Sequence, residues 1–169
     1  SELSWEDVST VDLIGLEVGY RLIPLVDTNQ GGDLLSRIKG VRKKLSQELG
    51  FLIDSVHIRD NLDLGPTQYR ISVHGVSMGE GEVIPDRELA INPGQVFGEV
   101  EGVATKDPTF GLEALWIDPS QRDTAHTAGY TVVDGSTVIA THLSQLLRNN
   151  AQKLIGQDGV QQLLERSKQ

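Results

Sequence analysis

The stretch GYTVVDGSTVIATHLSQLL, residues 129–147, contains a short β-branched run followed by apolar residues at helical spacing. The run Gly129 to Val133 predicts a strand. The later residues Val138, Ile139, His142 or Leu143, Leu146 and Leu147, continuing to Ala151 and Leu154, predict one helix with a single buried face. Asp134 or Ser136 stands at the helix start, where an oxygen is needed to accept free backbone N–H groups. A strand that feeds directly into such a helix makes this the element that returns the chain onto an earlier sheet. The same residues also invite a catalytic reading, a serine with a histidine base. Helical geometry opposes it, because Ser136 and His142 lie six positions apart, on roughly opposite faces. DGSTV also lacks the second glycine of a nucleophile elbow. Capping accounts for Asp134, Ser136 and Thr137 more simply.

Working outward from this stretch, LIGLEVGYRLIPLV at 13–26 predicts a buried strand that closes on Pro24, with a turn at 27–32. Asp33 can then cap a helix whose buried stripe is Leu34, Leu35, Ile38, Val41, Leu45 and Leu49, with Gly50 as its left-handed stop. Strands follow at SVHIRD and TQYRISVHGV, where Tyr69, Ile71 and Val73 alternate with polar residues until Gly75 breaks the phase. GEGE predicts a turn and VIPDRELAI a further strand, with Pro85 at an edge or bend. From Gln95 to Ala128 the chain turns glycine-rich, with EALWI its clearest strand and Pro119 at the first position of a short helix. This predicts a small inserted unit. After Gly156, QDGVQQLLERSKQ begins another helix, capped by Asp158, whose Val160, Leu163 and Leu164 need a surface to cover them.

With 169 residues, 38% hydrophobic and 23% charged, the chain has the composition of a soluble folded protein. A net charge of -9 repels phosphate backbones and anionic lipid, so neither nucleic acid nor membrane is an expected partner. Arg37, Lys39, Arg42, Lys43 and Lys44 cluster on the first helix, but as the solvent face of an amphipathic pattern. The absence of cysteine excludes disulfides and thiolate chemistry and suits a reducing compartment. No apolar run approaches the roughly 20 residues of a membrane span, and the acidic start SELSWEDVSTVD lacks the regions of a signal peptide. That segment reads as a linker or arm, with Trp5 free to pack on another surface or back on its own domain.

Metal chemistry finds little support, since His57, His74, His126 and His142 stand singly and read as hydrogen-bonded structural residues. QGGD before the first helix could favour an anion, but Asp33 puts a negative charge where phosphate would sit. Neither dinucleotide nor P-loop patterns occur, and no cofactor is expected. KDPTFG, 106–111, holds Phe110 between Pro108 and Gly111; an aromatic in a rigid turn is either a partner's anchor or tucked into its own core.

GLEVGYRLIPLVD, IRDNLDL, YRISVHGV, INPG, DPTFGLEALWI and GYTVVDGSTVIATHL occur in this order. Together they resemble the cytoplasmic domain of the flagellar and injectisome type III secretion export-gate family, over essentially the whole chain. The one departure noted is glycine after the aspartate of VVDGST, where alanine is common. The resemblance implies an α+β fold: linker 1–12, a mixed-sheet α/β first domain at 13–85 and 135–154, an inserted α+β second domain at 86–134, and the start of a helical third domain at 155–169. It implies that membrane spans before Ser1 and a last domain are missing from the chain.

For function, the resemblance implies no enzyme but a docking platform on the cytoplasmic face of the bacterial inner membrane. Family members form a nonameric ring and receive export chaperones loaded with flagellar subunits. Their chaperone-binding dimple falls here on Asp107, Phe110 and Thr141, with Ile91, Pro93, Val133 and Val138 as neighbours. Their GYxLI motif, tied to domain rearrangement and export-order switching, falls on Gly19, Tyr20, Leu22 and Ile23. Linker contacts with a neighbouring subunit fall on Glu2, Trp5 and Asp7. Other export-apparatus proteins are further expected partners, and this fragment is expected to make no membrane contact. Two alternatives stay beside this reading: a purely structural ring segment, and a hydrolase or transferase marked by a cleft joining Ser136 or His57 to a carboxylate.

Overall fold

The structure, a computed structural model, describes residues 13–154. The linker residues Glu2, Trp5 and Asp7 and the helix expected after Gly156 lie outside them. Two four-stranded sheets are present, which makes the fold mixed α+β. In the first, β1 (Ile14–Val18) lies between β2 (Val56–Asp60), to which it is parallel, and β3 (Gln68–Val73), to which it is antiparallel. β4 (Val76–Glu82) completes the order β2-β1-β3-β4. A parallel pair needs a crossover, and the helix α2 (Leu34–Leu49) supplies it. The second sheet is wholly antiparallel, built from β5 (Glu88–Ile91), β6 (Val103–Lys106), β7 (Glu113–Ile117) and β8 (Thr131–Asp134) in the order β6-β7-β5-β8. A short helix α3 (Arg122–Thr127) precedes β8, and α4 (Gly135–Asn149) leaves it.

α4 packs beside α2, and both close over one apolar core. Ile14, Leu16, Tyr69 and Ile71 of the first sheet, Leu34, Ile38 and Leu45 of α2, and Val138, Ile139, Leu143 and Leu147 of α4 are all buried in it. Leu89, Ala114 and Trp116 of the second sheet belong to the same cluster. Ala90, Ile117 and Ala125 form a smaller one on the other side of that sheet. Burial of each large aliphatic side chain is worth about 1.5–3 kcal/mol, so the shared cluster is what binds the second sheet to the rest.

Four local expectations need correction. The strand expected over 13–26 ends at Val18; a 3-10 turn at Tyr20–Leu22 and a helical turn α1 (Ile23–Val26) follow. Gly19 donates to the Gln68 carbonyl at 2.8 Å, and a Cβ there would stand 2.1 Å from the Gly65 oxygen, so the chain bends where only glycine fits. Pro24 needs no N–H at the start of the helical turn. GEGE is not a turn but part of β4; the reversal lies at His74 and Gly75, both with positive φ as a tight hairpin requires. The strand expected from 83 to 91 shrinks to Glu88–Ile91, because Ile84 to Arg87 form a turn closed by the Arg87 N–H on the Ile84 carbonyl. The last long helix is interrupted at Asn150, whose side-chain amide donates to the Leu146 carbonyl, and resumes as α5 (Ala151–Leu154).

Two helix faces also differ in detail from the expected ones. Leu35 is exposed, leaving Leu34, Ile38 and Leu45 fully buried on α2, while His142 and Leu143 are both buried on α4. Asp33 occupies the capping position of α2 but gives its carboxylate to Arg37 Nε at 3.0 Å. The α4 cap is made by Asp134, which accepts the Thr137 N–H at 2.8 Å. Arg37 reaches this same Asp134 at 3.1 Å, so one guanidinium joins the starts of both helices.

Candidate functional site

The expected site residues fall into two groups. Asp107 and Phe110 belong to the turn between β6 and β7. Pro108 presets a turn conformation, Gly111 takes a positive φ, and the turn is closed by the Gly111 N–H on the Asp107 carbonyl and the Asp107 N–H on the Leu112 carbonyl. Asp107 itself is only 6% exposed, and its Oδ2 accepts the Phe110 N–H at 2.7 Å. The ring of Phe110 therefore leaves a rigid turn and stands 62% exposed. Leu112 and Val103, on either side of it in sequence, are also exposed apolar residues.

The second group lies on the second sheet and α4. Leu89 pairs with Val133, so Leu89, Ile91 and Val133 share one face, and Ile91, Val133 and Val138 belong to the main core cluster. Val138 is 3% exposed, which makes it a support from behind and not a contact surface. Pro93 is exposed in the loop after β5, and Thr141 is exposed on α4, one turn beyond Val138. Next to Thr141, His142 is buried and its Nδ1 lies 2.7 Å from the Tyr69 hydroxyl. Burial holds the His142 imidazole below its ordinary pKa, against the pull of the Asp107 charge. Burial likewise pushes the Tyr69 phenol up, reinforced by Asp107.

Gly19, Tyr20, Leu22 and Ile23 lie elsewhere. Leu22 is fully buried, Tyr20 is exposed, and Ile23 lines a cleft of about 400 Å³ with Val18, Val26, Asp27, Ile58, Arg59 and Asp60. The serine and histidine of the catalytic alternative have separate partners. A hydrogen bond from Ser136 leads the influences that hold the Asp33 carboxyl below its usual range, and His142 is tied to Tyr69. Ser136 is itself buried, while the Asp33 carboxylate it meets is half exposed. Among the described residues there is no cluster of three or more potential metal ligands, and no helix is long and apolar enough to cross a membrane.

Sequence reasoning missed Tyr69 as a polar partner and Arg37 as a tie. The signal for the first was present in the two glycines Gly79 and Gly81, which leave one face of β4 open opposite these rings.

The profile of the FHIPEP family matches residues 1–169. The chain belongs to the FHIPEP family. Flagellar biosynthesis protein FlhA of Escherichia coli strain K12 is 53% identical over 165 residues, which is 98% of this chain and 24% of that protein. The chain thus spans about a quarter of the length of the curated FHIPEP relatives it matches. The fold is similar to that of one chain in the structure of the Chlamydia pneumoniae CdsV and CdsO protein complex, with a TM-score of 0.74 at 20% identity, covering 99% of this chain and 51% of the matched one. Nonameric EPEC SctV-C shares it with a TM-score of 0.59 at 18% identity, covering 93% of this chain and 45% of that one.

Proposed function

We propose that this FHIPEP chain is a docking part of a flagellar type III protein export gate, receiving export chaperones loaded with their substrates. The observation that carries the reading is the Phe110 ring, held in solvent by a turn whose buried Asp107 accepts its backbone N–H. An aromatic presented to solvent from a fixed turn is a residue type that binding hot spots favour. In this reading Ile91, Val133 and Val138 back the site, Pro93 and Phe110 are its open apolar part, Thr141 is a polar contact, and Asp107 orients Phe110 through its backbone N–H. Relatives named as flagellar biosynthesis proteins support the cellular setting.

The domain division in this reading is a first domain at 13–85 and 135–154 and an inserted second domain at 86–134. Gly19, Tyr20, Leu22 and Ile23 form the bend whose rearrangement contributes to export-order switching. The full protein sits with this part on the cytoplasmic face of the inner membrane, with neighbouring subunits in a homo-oligomeric ring and other export-apparatus proteins as partners. A solved neighbour described as nonameric supports the ring, and one solved as a complex supports further partners. Capture of a purified, substrate-loaded chaperone by the 169-residue chain tests the reading. Failure of capture by this chain, with capture by a longer one, leaves it a structural segment.

A further inference from the structure

Tyr69 and His142 form a buried polar pair where the first sheet meets α4. The phenol oxygen and imidazole Nδ1 are 2.7 Å apart, and the rings meet edge-on with centroids 5.7 Å apart. Two glycines of β4 make the room. A Cβ on Gly81 would stand 2.4 Å from the Tyr69 hydroxyl, and one on Gly79 would stand 3.0 Å from His142 Nε2. Glycine inside a strand weakens it, and a buried hydroxyl and imidazole bear a desolvation cost that only their mutual bond offsets. Two apolar side chains would fill the same space without either cost. What the polar pair adds is direction: a hydrogen bond fixes the angle of α4 on the first sheet where dispersion contacts leave it free to slide.

The place of the pair gives that direction a use. Thr141 adjoins His142 on α4 and is exposed. We propose that the Tyr69–His142 hydrogen bond is the positioning contact of the docking site, fixing Thr141 on α4 relative to the first sheet. This rests on the docking reading above. The phenol and Nδ1 share one hydrogen bond, whose donor is set by the imidazole tautomer. The titratable groups acting on His142 are Tyr69 from β3 and Asp107 from the turn after β6, and β4 faces it with Gly79.

Hydrogen exchange followed by NMR on the 169-residue chain tests the inference without any partner. Tyr69→Phe is expected to accelerate exchange of the Thr141 amide at least tenfold, whereas Leu45→Val, a core change on α2, leaves it unchanged. His142→Asn, whose Oδ1 stands where Nδ1 stood, should preserve slow exchange, and His142→Leu should lose it. Calorimetry against a purified flagellar export chaperone carrying a flagellar subunit should show at least threefold weaker binding for Tyr69→Phe and His142→Leu, with His142→Asn near the wild type. Unchanged Thr141 exchange in Tyr69→Phe, or equal exchange in the two His142 variants, overturns the positioning role. So does full affinity in Tyr69→Phe where Phe110→Ala binds weakly. If Phe110→Ala also binds fully, the docking reading fails by itself, and the exchange comparison still decides the role of the pair.

Discussion

The carboxylate of Asp107 accepts the backbone N–H of Phe110 at 2.7 Å, so a buried acid supports an exposed ring three residues away. The two side chains therefore carry different loads, one in folding and the other in recognition, and substitutions should separate them. Phe110→Ala is expected to weaken chaperone–substrate binding by more than ~1 kcal/mol while leaving the melting temperature unchanged. Calorimetry paired with thermal unfolding checks this, and full affinity in the folded variant removes Phe110 from the site.

Asp107→Ala should instead cost stability. It strands the Phe110 N–H in a part-buried turn, a loss of about 1–3 kcal/mol. Denaturant unfolding measures it directly. A variant as stable as the wild type would mean that the turn closes without the carboxylate.

Asp134 carries both a cap and an ion pair, accepting from Thr137 N–H and from Arg37. Asp134→Ala is expected to cost about 1–2 kcal/mol through loss of the cap. Asp134→Asn keeps the cap oxygen and loses only an exposed pair, worth a few tenths of a kcal/mol. Equal losses in the two variants would shift the weight onto Arg37.

Gly19→Ala tests whether the GYxLI stretch owes its glycine to packing. Its methyl group would meet the Gly65 and Pro66 carbonyl oxygens at 2.1 and 2.6 Å. Backbone cannot yield as a side-chain end can, so a loss of about 2 kcal/mol is expected, near 4–8 °C in a domain of this size. Calorimetric unfolding decides it, and any export defect of this variant should be compared at equal folded fraction.

The pH dependence of stability follows from His142. Burial, the leading influence, lowers its folded-state pKa, so near and below the unfolded value of about 6.5 the unfolded chain binds more protons. The contribution of this group is fully present above that pH and falls away as acid is added. The shifted carboxylates Asp27, Asp33, Glu48 and Asp118 act only at lower pH, since their folded pKa values are depressed. Wild-type chain should therefore melt lower at pH 5.5 than at pH 7.5, and His142→Leu should lose that part of the slope. An identical slope in the variant would place the effect elsewhere.

Periodicity was legible wherever one side of an element faces the core. Tyr69, Ile71 and Val73 alternate in the sequence and are buried in alternation, and Val138, Ile139, Leu143 and Leu147 mark the inward face of α4 before any contact is known. Local chemistry was legible too: Asp134 caps because a carboxylate next to free N–H groups needs no tertiary partner. The family came from six motifs in order, and the Asp107 and Phe110 assignments came with it.

Tertiary structure decided the rest, through contacts between residues far apart in the chain. GEGE has a turn composition, yet it lies in β4 because Gly79 and Gly81 must clear His142 and Tyr69, the former 63 and the latter 12 positions away. LIGLEVGYRLIPLV has strand propensity throughout, yet the carbonyls at 65 and 66 admit no side chain at Gly19 and bend it there. His142 has no partner in any local pattern; its bond to Tyr69 exists only because β3 and α4 meet. Composition and spacing determine which faces are apolar, since burial repeats along the chain. Which polar groups meet across those faces depends on where the chain returns, and that is fixed only once the core has closed.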